Sequence, residues 1–192
     1  MSGVVDEPAI QRAVSAIIEA LGEDACREGL VDTPRRVAEM YREICAGLDE
    51  DPLAELTIGV GYEEGHKEMV ILKDISFYSL CEHHFLPFYG VVHIGYIPSE
   101  GRVVGISKLA RVVDILSHRP QLQERMTLQI ADTLMQALQP SGVGVVVQAE
   151  HLCLTMRGLK KPGSNVVTSA NRGLFRENAS TRAEFLALLQ GK

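Results

Sequence analysis

The sequence contains no tryptophan, and aromatic residues make up only 5% of its 192 positions. A platform that stacks successive bases of single-stranded nucleic acid needs more rings than this. Positive charge is in the minority: 19 Lys and Arg stand against 25 Asp and Glu, a formal net charge of −6. That balance excludes a protein that coats nucleic acid or an anionic membrane by bulk charge, while leaving room for a local basic pocket. No segment approaches the roughly 18 uninterrupted apolar residues of a membrane span. The opening MSGVVDEPAIQ lacks a basic n-region and a long apolar run. The four cysteines, Cys26, Cys45, Cys81 and Cys153, are too sparse for a secreted disulfide framework. The expectation is a cytoplasmic protein in a reducing compartment, with neither nucleic acid nor membrane as partner.

Hydrophobic residues make up 46% of the chain and charged residues 23%, ordinary values for a globular protein with a real core. The length predicts one functional unit with an extension. Pro8 stands near the start of a helical stripe, Ile10, Ala13, Val14, Ile17, Ile18 and Leu21, which Gly22 ends. In Asp32-Thr33-Pro34, Thr33 can cap a second helix whose stripe is Val37, Met40, Tyr41, Ile44 and Leu48. Residues 50–66 read as a connection. From about Lys67 the pattern changes to strands: MVILKDISFYSL, then PFYGVVHIGYIPSEGRVVGI, broken by the turn composition Pro98-Ser99-Glu100-Gly101. Ser107 is placed to cap one helix, and Pro120 to open a longer one that ends at Pro140-Ser141-Gly142. A long strand, VGVVVQAEHLCLTMR, and a short one near 166–169 follow. Thr181 and Glu184 fit a capping box for a closing helix. The reading is α+β: a helical region and connection over 1–66, then over 67–192 a mainly antiparallel sheet with two consecutive helices.

The densest chemical signal is Cys81-Glu82-His83-His84, where a thiolate and an imidazole three residues apart can reach one metal ion from a turn. His151 and Cys153 form a second group and, on a continuous strand, share a face with Thr155 and Arg157. If Cys81, His84, His151 and Cys153 all bind, the site is closed and structural. If three bind, a position stays open for water and one or two histidines remain for acid–base work. Spacing also admits buried thiols beside ordinary polar histidines. In GISKLAR, a strand end entering a helix exposes backbone N–H groups and adds Ser107, Lys108 and Arg111. Cations in a first turn oppose the helix dipole, which points to a recruited anion. Arg157, Lys160 and Lys161 form another basic group. Glu124, early in a helix, is explained by the dipole alone; as a functional group it can accept from two adjacent N–H groups of a base.

Taken together and in order, DTPRRVAEMY, CEHHFLPFYG, HIGYIP, GISKLAR, RPQLQER, EHLCLTMRG and TSANRGLFREN closely resemble GTP cyclohydrolase I, over most of the chain. The resemblance implies hydrolysis of GTP, release of its C8 as formate, and rearrangement to 7,8-dihydroneopterin triphosphate, the entry to folate or other pterin products. It implies the tunnelling fold, assembled as a toroidal homodecamer of two pentamers with active sites at subunit interfaces. It also implies one zinc ion per subunit on Cys81, His84 and Cys153, and proton handling by His83 and His151. By the same resemblance, Glu124 anchors the guanine edge, with Gln123 a lesser candidate. Ser107, Lys108, Arg111 and Arg157 take the triphosphate, and Arg36 comes from a neighbouring subunit. Glu39 departs from the pattern, standing where the family often has a lysine.

Overall fold

The computed structural model describes residues 5–58, 60–62, 65 and 67–191. Helix α1 (Glu7–Ala20) is capped by Asp6, whose carboxylate accepts from the Ala9 N–H at 3.0 Å. It packs against α2 (Thr33–Ile44) and is tied to it by Arg42 and Glu7, 2.9 Å apart. Asp32, not Thr33, holds the cap position of α2, and its side chain is drawn instead to Arg36 at 3.3 Å. The stripe expected to bury this helix stays largely open: Met40 and Leu48 are 44% and 48% exposed, and Ala38 is the helix's one buried residue. The helical pair thus covers little apolar surface within one chain.

The stretch 50–66 is more than a connection. After a 3-10 turn (Ala46–Asp49) come α3 (Pro52–Ile58) and a short strand β1 (Val60–Tyr62). Leu56 of α3 is fully buried in the main core. His66, Gly59, Glu63 and Glu64 lie outside the described residues.

The central sheet is built from β2 (Val70–Cys81), β3 (Pro87–Ile97), β5 (Pro120–Gln121), β6 (Gly142–His151) and β7 (Val166–Gly173), in the order β5-β2-β3-β6-β7. All neighbours are antiparallel except β5 beside β2. A separate pair joins β1 to β4 (Arg102–Val104). The mainly antiparallel sheet expected from the sequence is present. The pairing of β2 with β3 carries a bulge between Leu72 and Ile75, where Asp74 adopts φ 60°. Opposite it, the buried His93 accepts from the Asp74 N–H through Nδ1 at 3.1 Å.

Helices α4 (Ile106–Ser117) and α5 (Gln123–Leu138) cover one face of this sheet. Phe88, Val92, Ile94 and Tyr96, alternate residues of β3, meet Leu109, Val112, Met126, Ile130 and Leu134 in the core. The two helices start differently from expectation. Gly105 holds the cap position of α4, placing Ser107 inside the first turn. Pro120 lies in β5, where a missing N–H costs nothing on an edge strand, and α5 begins only at Gln123.

On the opposite face a small cluster forms around Val146, Phe175 and Phe185. An added Cβ at Gly144 would lie 2.5 Å from the Phe175 ring, so only glycine lets the ring sit against the strand. Phe175 belongs to α7 (Leu174–Glu177) and Phe185 to α8 (Ala179–Leu189). Asn178, not Thr181, caps α8, its side chain accepting from the Ser180 and Thr181 N–H groups.

Candidate functional site

Cys81 is the last residue of β2, and the turn after it is tightly held. Its N–H donates to the Leu86 carbonyl at 2.9 Å, and its own carbonyl accepts from the N–H groups of His84 (3.2 Å) and Phe85 (2.8 Å). Phe85 closes the turn at φ 53°. The Glu82 N–H donates to the Gln121 carbonyl at 3.1 Å, which fastens the turn to β5. A turn so clamped presents His83 and His84 outward while Cys81 stays buried.

Cys153 reaches the same place by another route. The expected strand stops at His151, and Leu152–Thr155 form a single helical turn, α6. The reason is the loss of partners: β7 pairs with β6 only as far as Ala149, and β3 only as far as His151. Beyond that the backbone bonds to itself, Met156 N–H to the Leu152 carbonyl at 3.0 Å. The strand-face argument therefore does not extend to Cys153, Thr155 and Arg157.

Cys81, His84 and Cys153 each offer a ligand atom, all within 4.8 Å of one another. The two sulfurs are 3.8 Å apart and unbridged. Two thiolates each about 2.3 Å from a tetrahedral zinc stand about 3.8 Å apart, so the pair has the spacing such an ion requires. Burial, and then the hydrogen bond to Cys81, push the Cys153 thiol pKa up. A divalent cation is the group that reverses this and draws the proton off.

His151 is not a fourth member. Its ring stacks on Phe88, centroids 4.6 Å apart and 6° from parallel, and its Nε2 lies 2.7 Å from Gln123 Oε1. Gln123 is 1% exposed, and its Nε2 donates to the carbonyls of Val147 (3.1 Å) and Val166 (3.0 Å) and to Thr168 Oγ1 (3.2 Å). Because the amide nitrogen faces carbonyls, the oxygen faces His151, and His151 carries its proton on Nε2. Burial pushes the His151 pKa down, with Glu124 opposing, which favours the neutral ring.

The protein-family model for GTP cyclohydrolase I matches residues 10–190. A protein named GTP cyclohydrolase 1 from Dehalococcoides mccartyi is 62% identical over 188 residues, 97% of this chain and 98% of its own length. One of the same name from Caldanaerobacter subterraneus subsp. tengcongensis is 56% identical over 189 residues, 98% of this chain and all of its own. This chain belongs to the GTP cyclohydrolase I family. A third GTP cyclohydrolase 1, from Geobacillus kaustophilus, is 58% identical over 181 residues, covering 94% of this chain and 95% of its own.

The other positions that the resemblance to GTP cyclohydrolase I singled out fall into separate places. Glu124 is exposed in the first turn of α5, next to Arg125, which pairs with Glu82 of the Cys81 turn. Arg157 is exposed, and its charge acts on the Cys153 thiol. Ser107, Lys108 and Arg111 lie on the first two turns of α4. Lys108 Nζ is 2.9 Å from Glu55 Oε2, and Arg111 pairs with Glu50. Among the described residues, no hydrogen bond or ion pair joins this group to the cysteine and histidine cluster. Arg36 is exposed and pairs with Asp32, while Glu39 is matched by Arg35 at 2.8 Å. Phe88, Thr168, Glu50 and Glu55 went unread in the sequence. Their roles depend on strand register or on contacts more than forty residues apart, as with Glu55 and Lys108 at 53, and no local spacing signals them.

Proposed function

We propose that this protein hydrolyses and rearranges GTP to 7,8-dihydroneopterin triphosphate and formate, using a zinc ion held by Cys81, His84 and Cys153. The observation that carries the reading is the two-cysteine, one-histidine group, with sulfurs 3.8 Å apart, in a chain that belongs to this family. When bound, the ion supplies Lewis-acid activation of water for attack at C8. The chain's own residues do the rest. His151, kept neutral by burial and holding its Nε2 proton against Gln123, offers Nδ1 as the ring's basic nitrogen. His83, exposed on the same turn as Cys81 and His84, is the second proton carrier. Opening the imidazole ring breaks a C8–N bond and puts a proton on the departing nitrogen, and a second hydrolysis frees formate. Both steps need side chains that can give and take a proton.

Glu124 takes the guanine edge, with its carboxylate exposed to accept two N–H groups. The side chain of Gln123 serves the reaction by orienting His151. Ser107, Lys108, Arg111 and Arg157 bind the triphosphate. Two findings favour an assembly: among the described residues no hydrogen bond or ion pair joins the Lys108 group to the cysteine cluster of its own chain, and the α1–α2 pair leaves Ile17 and Leu21 58% and 78% exposed. We assign the protein to a tunnelling-fold decamer in which Arg36 and the α4 group complete a neighbour's site. In this assignment 1–66 is the helical extension and 67–192 the catalytic unit.

The test is incubation of the purified protein with GTP, with and without a chelator and zinc add-back. Formate and, after oxidation, fluorescent pterin are measured. Equal, zinc-dependent amounts of both are expected. Neither product from the zinc-loaded, assembled protein overturns the reading.

A further inference from the structure

We propose that Glu50 and Glu55 are internal counterions that occupy Arg111 and Lys108 in the absence of substrate and weaken the site's hold on polyphosphate. The inference rests on the reading of Lys108 and Arg111 as triphosphate ligands. Its starting point is an electrostatic surplus at the start of α4. Two cations three residues apart sit near the positive end of a helix that has no acidic residue in its first turn. The structure answers that surplus from within: Glu55 Oε2 lies 2.9 Å from Lys108 Nζ, and Glu50 pairs with Arg111. Each of these side chains is half-buried, so the pairs are less screened than open surface pairs.

The carboxylates cannot be carried away by a swinging loop. Glu55 precedes Leu56, which is fully buried in the main core. Glu50 follows the 3-10 turn, where an added Cβ at Gly47 would lie 2.1 Å from the Ile115 carbonyl oxygen. Arg119 clamps the same turn, hydrogen-bonded to the Gly47 carbonyl and, at 3.5 Å, to that of Glu50. An arriving phosphate must therefore displace these carboxylates by side-chain rotation alone, and they stay close enough to repel it.

The chemistry gives this weakening a use. Substrate and product both carry the intact triphosphate, so contacts to it bind the two alike. Such uniform binding lowers KM without lowering the barrier, and in excess it holds the product back. Positioning the cations on carboxylates keeps them oriented for phosphate while limiting that affinity.

The probe is inorganic triphosphate, titrated by calorimetry into the zinc-loaded assembly of the wild type and of Glu55→Gln, Glu50→Gln and Lys108→Gln. In the two glutamate variants Gln keeps a hydrogen-bond acceptor and removes the charge. The expected result is binding about threefold to tenfold tighter for each glutamate variant and weaker for Lys108→Gln. In turnover, the KM for GTP falls in Glu55→Gln. Unchanged or weaker binding by both glutamate variants, with Lys108→Gln weakened, overturns the counterion proposal alone. Unchanged binding by Lys108→Gln overturns the phosphate-site reading beneath it.

Discussion

Gln123 Oε1 lies 2.7 Å from His151 Nε2, and the other end of the same amide is held by two backbone carbonyls and Thr168. A buried glutamine fixed at one end has one orientation left at the other, so α5 dictates the tautomer of a histidine on β6.

Replacing Gln123 with leucine removes that control. Turnover is expected to fall about a hundredfold through misplacement of the imidazole. Stability should fall by about 1–3 kcal/mol from the carbonyls left without donors. Zinc content should stay at the wild-type level. Metal analysis beside steady-state kinetics checks this, and loss of zinc would mean that the residue serves the metal site instead.

His83→Ala and Cys153→Ala should part company. The first is expected to keep its zinc and lose about a hundredfold to ten-thousandfold in turnover, the range of a lost proton carrier. The second should lose the metal, because two donors remain where three converge. Zinc loss from His83→Ala would overturn the ligand set.

Glu124→Ala should raise the KM for GTP about tenfold to a hundredfold, the loss of a charged acceptor for two N–H groups. Glu124 is exposed, so the unfolding free energy should move by about 0.5 kcal/mol or less. An unchanged KM removes the residue from the guanine edge.

His93 gives the fold a pH dependence. Its Nδ1 accepts from the Asp74 N–H at 3.1 Å, which only an unprotonated nitrogen can do, and burial pushes its pKa down against the nearby Asp74 carboxylate. The unfolded imidazole titrates near about 6.5. Below that the unfolded chain takes up a proton that the folded one resists, so stability is full above about pH 6.5 and falls as pH falls. Urea unfolding at about pH 7.5 and pH 5.5 should show the loss, and His93→Gln should lessen it.

Much of this molecule is legible in its sequence because the information is local. Pro8 and Gly22 bracket α1, the β-branched run from Met69 marks β2, and Cys81, His84 and Cys153 announce their chemistry by residue type. Misreadings occur where tertiary context overrides a local signal. Pro120 favours a helix start, but the parallel neighbour β2 takes it as a strand residue. The segment 50–66 looks polar and loose, yet Leu56 pins it into the core. Cys153 lies past the last strand partner, which no alternation pattern can show. The burial of Gln123 is likewise a property of the packed chain that residue type alone does not show.

The bulge at Lys73-Asp74 acts as a phase shifter for β2. Before it Leu72 pairs with Ile94, and after it Ile75 pairs with Val92, one residue out of step. Side chains alternate along a strand, so this extra residue sets Ile75, Phe77, Ser79 and Cys81 on the core side. Were Lys73 and Asp74 paired in strict alternation instead, with Val70–Leu72 keeping their partners, the letters from 75 to 81 would be read on the opposite face, turning the thiol of Cys81 away from Cys153. The frame in which the Cys81, His84 and Cys153 cluster is written is thus set by one inserted residue, seven positions upstream of Cys81.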